Sequence, residues 1–112
     1  HIALVLHAHL PYVRHPEHER SIEEAWLFDA IWGAYLPLHA ALAAADPGDA
    51  PLLTLSLSPT LLEMFADRGL RRRFLDHLGG LERLAARVAP AWIPRFREAR
   101  QAYDAVDHDL AR

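Results

Sequence analysis

The sequence predicts an α/β fold built around two parallel strands, with helices between and after them. Three observations lead there. Residues 2–6 (IALVL) are an unbroken apolar run, the pattern of a strand buried on both faces. Residues 52–58 (LLTLSLS) alternate leucine with threonine and serine, the period of a strand with one apolar face. Between and beyond them, apolar residues recur at spacings of three and four, the period of an amphipathic helix. Strand, helix and strand in that order make a βαβ unit, with a right-handed crossover and parallel strands.

The 112 residues are enough for one modest domain. A 52% hydrophobic content with 24% charged residues belongs to a globular chain, not a disordered one. A net charge of −3 argues against a nucleic-acid footprint or an anionic-membrane binder. No apolar run reaches the roughly 18 to 20 residues of a membrane span, and no signal-peptide pattern is present. Cysteine is absent, so thiolate metal sites and disulfides are out, and a reducing, cytoplasmic setting fits. A strand pattern begins directly after His1, and the chain closes at Arg112 inside a helical pattern. Two strands also cannot cover both edges of their sheet. The expectation is a segment of a longer protein, whose remaining strands lie downstream.

Element by element, residues 2–6 are the first strand, and residues 7–21 a polar loop with Pro11 and Pro16. Ser21 followed by Glu24 has the S-x-x-E spacing of a capping box and starts the first helix. Ile22, Ala25, Trp26, Phe28, Ile31, Trp32 and Tyr35 form its apolar face. Pro37 must kink that helix or start another, because it has no N–H and its ring crowds the preceding turn. An alanine-rich stretch from His39 to Ala45 follows, then a turn at residues 46–49 (DPGD). After the second strand, Ser58-Pro59 reads as N-cap and first helical residue. Thr60 with Glu63 offers a competing capping box two residues on. A helix over residues 70–88 carries Leu70, Phe74, Leu78, Leu81, Leu84, Ala85 and Val88 on one face, weakened at Gly79-Gly80. A last helix from Ile93 or Pro94 presents Phe96, Ala99, Tyr103, Val106 and Leu110.

The candidate site is His7 and His9. Two residues apart in extended chain, they point the same way, at the carboxyl end of a strand where this class of sheet builds its sites. Such a pair can chelate zinc through two imidazole nitrogens, or it can hydrogen-bond the hydroxyls of a polyol such as a sugar. The spacing does not separate the two. His15, Glu17, His18 and Glu19 match no zinc spacing and read as a solvated loop. Trp26, Trp32 and Trp92 are possible sugar-stacking platforms, with Trp32 better placed for the core. Arg71, Arg72 and Arg73 read as a solvated helix face. Glu23 and Glu24, adjacent on a helix, diverge too far to act as paired carboxylates across a glycosidic bond.

LVLHAHLPYVRHPEHE, then EEAWLFDAIWGAYLPLHAAL, then LTLSLSPTLLEMFAD resemble, in order, the start of glycoside hydrolase family 57. The closest likeness is to its 1,4-α-glucan branching enzymes and α-amylase-like members. It covers most of the chain and is strongest over residues 3–67. The resemblance implies that residues 1–112 are the N-terminal segment of a catalytic (β/α)7 barrel, an incomplete TIM-like barrel. HAHLP matches the family's first motif, so His7 and His9 are implied to contact the sugar near the cleavage point. Trp26 falls where the branching enzymes place an aromatic close to the site. The implied catalytic pair, a glutamate nucleophile and an aspartate acid/base, belongs to later motifs beyond Arg112, so this segment alone is expected to be inactive. The implied mechanism is retaining, through a glycosyl-enzyme passed to a glucan hydroxyl or to water. The implied partners are an α-glucan (glycogen, amylose or maltodextrin) and the remainder of the catalytic domain. No metal or organic cofactor is implied. The rival readings are a metal-dependent hydrolase with His-x-His on its first barrel strand, and a small helical interaction module.

Overall fold

A computed structural model describes residues 2–15, 17–45, 48 and 53–110, with backbone alone for 107–110. The described chain runs β1 (Val5–Ala8), α1 (Glu24–Ala30), a π-helical segment (Ile31–Tyr35), α2 (Leu36–Ala43), β2 (Thr54–Leu57), α3 (Pro59–Ala66), α4 (Arg68–Val88), a 3₁₀ turn (Pro90–Trp92) and α5 (Ile93–Leu110). The two strands pair parallel, as the βαβ pattern predicts, with Val5 opposite Thr54 and His7 opposite Ser56. Backbone bonds extend the ladder at both ends: the Thr54 amide donates to the Leu4 carbonyl (2.9 Å) and the Ser58 amide to the Ala8 carbonyl (3.1 Å). Among the described residues, no helix is long and apolar enough to cross a membrane.

Two features of the first strand differ from expectation. The ladder starts later than residue 2 and takes in His7 and Ala8, because a strand extends as far as its partner does, whatever the hydropathy of the run. Its faces are also more open than that pattern predicts, although Leu6 is half-buried and Ala8 is buried. Leu4 is 52% exposed and Val5 64%, and Leu55 and Leu57 across from them are near 40%.

Helices hold the core. Phe74, Leu78, Leu70, Leu61, Met64 and Leu27 are fully buried, each side chain stabilising the fold by about 1.5–3 kcal/mol relative to an exposed one. Phe28 and Tyr103 both tilt against Phe74, with ring centres 5.9 and 4.8 Å away. Phe96 and Ala99 of α5 join the same cluster. Leu84 and Val88, predicted on the buried stripe of α4, are exposed. Leu84 lies 100° around the helix from the inward-facing Ala85, and Val88 is the last residue of α4.

Helix starts correct one expectation and resolve another. Ser21 does not cap α1. Its hydroxyl donates to the Val13 carbonyl (2.9 Å), α1 has no side-chain cap, and Glu24 is drawn away to Arg73. Ser58 does cap α3, accepting from the Leu61 amide at 3.3 Å with Pro59 at the first helical position. Thr60, the competing cap, instead bonds the Leu10 carbonyl (3.3 Å). Asp67 caps α4 through the Leu70 amide (2.9 Å), so that helix begins two residues before the predicted start.

Pro37 neither breaks nor visibly restarts the helix. The turn before it widens instead, and the Leu36 amide reaches back five residues to the Ile31 carbonyl. A wider turn gives room to the proline ring, which in a regular α-helix crowds the carbonyl four residues earlier. The turn predicted at residues 46–49 lies outside the described residues apart from Gly48, itself in a turn.

Candidate functional site

β1 and β2 together build the site. The parallel register sets His7 opposite Ser56, and His7 Nδ1 is 3.1 Å from Ser56 Oγ. His7 and His9 lie on one side of the chain, as their spacing predicts. Their imidazole rings are nearly parallel (9°) with centres 5.9 Å apart. Both side chains are exposed. Two ring nitrogens of such a pair are available to bond one ligand.

The chain that leaves the pair is fastened from β2 and α3. Ala8 receives the Ser58 amide and Leu10 the Thr60 hydroxyl. Ser58 and Thr60 are also in hydrogen-bond contact with each other (3.1 Å). Further on, Val13 is buried, with its amide 3.5 Å from Met64 sulfur. The long loop is therefore anchored at its middle, so that the path out of His9 is defined. Arg14 pairs with Asp67. Partial burial opposes ionisation of Asp67, but the Leu70 amide and the Arg14 charge outweigh it and hold the carboxyl below its ordinary value.

The other candidates fall elsewhere. Trp26 is 55% exposed on α1, and no hydrogen bond or ring contact joins it to the histidines. Trp32 packs edge-on against Phe96 at 5.1 Å, the core role expected of it. Trp92 lies between Phe96, 6.4 Å away, and the Arg95 guanidinium at 5.1 Å. His15 and His18 are exposed, and among the described residues no three His, Cys, Asp or Glu side chains gather closely enough to hold a metal ion. Glu23 and Glu24 part company as expected. A hydrogen bond from its own backbone amide holds the Glu23 carboxyl below its ordinary value.

Arg73 departs from the solvated face predicted for it. It grips the buried Glu24 with two bonds, Nε to Oε2 at 2.9 Å and Nη2 to Oε1 at 2.7 Å. These residues are 49 apart in sequence, so no local pattern announces the pair. Ser56 also carried no individual signal. The alternation of residues 52–58 marks it as small and polar, but only the strand register sets it opposite a histidine.

Among the described residues, neither His7 nor His9 lines the cavity of about 240 Å³ between the helices. That cavity is bounded by Leu27, Ile31, Tyr35, Met64 and Phe65 among others. Burial raises the Tyr35 phenol there. The histidine pair, exposed at both residues, sits on an open strand end.

The chain is similar to proteins that act on α-glucans. It is 45% identical over 60 residues to a probable 1,4-alpha-glucan branching enzyme of Mycobacterium tuberculosis, a match covering 52% of this chain. It is 30% identical over 79 residues, 69% of this chain, to a 1,4-alpha-glucan branching enzyme of Thermococcus kodakarensis. Among solved structures, the alpha-amylase AmyC of Thermotoga maritima superposes with a TM-score of 0.67 at 33% identity over 93% of this chain. The chain spans 11% of the length of those branching enzymes and 21% of the amylase. No protein-family model matches it.

Proposed function

We propose that this chain is the N-terminal segment of the catalytic domain of a glycoside hydrolase family 57 enzyme acting on α-glucans, most specifically a 1,4-α-glucan branching enzyme. One observation carries the reading: two facing imidazoles at the carboxyl end of a parallel strand, in a chain similar to branching enzymes and to an amylase. A strand end of this kind is where α/β sheets and barrels hold their ligands. The imidazoles bond hydroxyls of the glucan unit next to the scissile linkage and orient it. Their contribution is positioning and charge stabilisation. Nucleophile and acid/base are carboxylates of the longer protein, consistent with Glu24 being consumed by its ion pair. Trp26 supplies an exposed apolar ring to the glucan chain.

In the longer protein, His7→Ala and His9→Ala are each expected to lower the rate of amylose branching by about 10²-fold. The decrease in iodine–amylose absorbance measures this, with circular dichroism confirming an unchanged fold. Wild-type rates in both variants would sink the reading. Stoichiometric zinc in the purified protein would turn it toward the metal-dependent hydrolase. The 112-residue chain alone is expected to turn over no amylose.

A further inference from the structure

We propose that Ser56 is a positioning residue for His7: its hydroxyl donates to Nδ1 and leaves the ring proton on Nε2, the nitrogen presented to the sugar. The assignment rests on the glucan reading above and adds to it a residue from the second strand. Three observations support it. The contact is 3.1 Å between Ser56 Oγ and His7 Nδ1. Its geometry does not depend on a flexible loop, because His7 and Ser56 are direct partners in the parallel ladder. The ladder is pinned beyond both ends by Thr54 to Leu4 and Ser58 to Ala8. Finally, the Ser56 hydroxyl has no other hydrogen-bond partner among the described residues. Its proton is free for the imidazole.

The consequence is chemical. A neutral imidazole has one donor and one acceptor nitrogen, and the partner of one nitrogen decides the role of the other. With Nδ1 accepting from Ser56, Nε2–H is a donor with a fixed direction toward a sugar oxygen. His9 lacks such a partner among the described residues and is oriented by its chain and by the neighbouring ring. The two histidines are therefore unequal, and His7 is the one whose direction is built in. Losing an orienting partner of this kind costs about 10- to 100-fold where it has been measured at metal-bound histidines. The lower end applies to an exposed pair.

The test uses the longer protein with ¹⁵N-labelled histidine, comparing wild type, Ser56→Ala, Ser56→Thr and His7→Ala. In the wild type, the nitrogen resonances of His7 should show Nε2–H with unprotonated Nδ1. Ser56→Ala should move those resonances, leave those of His9 in place, and lower kcat for amylose branching about tenfold with KM little changed. Ser56→Thr, which keeps the hydroxyl, should restore both. An Nδ1–H tautomer in the wild type overturns the assignment, as does a Ser56→Ala variant with unaltered His7 resonances and kcat. If that variant behaves as wild type while His7→Ala is impaired, the Ser56 role alone fails. If His7→Ala and His9→Ala both keep wild-type rates, the glucan reading of the site fails with it.

Discussion

Glu24 and Arg73 set the strongest local condition on this fold. Glu24 is buried to 4% exposure, and its carboxylate is held by two bonds from Arg73 of α4. Removing one member of a buried pair strands the other charge. Arg73→Leu is expected to destabilise the chain by about 3 kcal/mol, read as a lower denaturant midpoint. Replacing both partners by apolar residues should recover most of that loss, because no charge is then left buried. Asp67 sets a second condition, through pH. Its folded carboxyl is held below the ordinary 3.8, so the folded state binds that proton less readily than the unfolded chain. The stability this adds is fully present above the unfolded value and disappears as pH falls through the lower folded one. Thermal melts of the wild type should drop over that acidic range. Asp67→Asn keeps a capping oxygen but loses the charge, and its melts should drop less steeply.

At the scale of the element, two serines with similar local signatures do different work. Ser58 precedes Pro59 and satisfies the Leu61 amide. Ser21 precedes a glutamate at the capping-box spacing but spends its hydroxyl on Val13. Ser58→Ala should therefore cost about 1 kcal/mol of helix-capping energy. Ser21→Ala should instead loosen the loop at Val13, seen as faster amide exchange in residues 9–20 with α1 protection retained. The reverse pattern would return the cap to Ser21. Much at this scale was legible from sequence: the parallel pairing, the Ser58 cap, the start of α5 at Ile93 and the core role of Trp32. The widened turn before Pro37 was not. A proline states that one hydrogen bond is missing, whereas the way the helix absorbs that loss depends on how its faces pack.

Across the whole molecule, the helices enclose a core while the sheet does not. Ile2, Leu4, Val5, Leu55 and Leu57 are all exposed by 40% or more, and the sheet has only two strands among the described residues. Exposed apolar strands with unpaired edges associate with whatever can cover them. The isolated 112-residue chain is expected to self-associate with rising concentration and to bind a hydrophobic dye such as ANS. Sedimentation velocity measures the first effect and fluorescence the second. A dye-silent monomer at every concentration would favour the self-contained helical module.

The sequence alone determined the order of strands and helices, the parallel pairing and the common direction of His7 and His9. Those follow from periodicities of two and 3.6 residues and from turn chemistry, all local along the chain. The partner of each polar side chain was decided only by the tertiary structure. Ser56 meets His7 across 49 residues, and Arg73 meets Glu24 across the same separation. Neither is visible locally, because strand register and helix docking bring together residues that no sequence pattern relates.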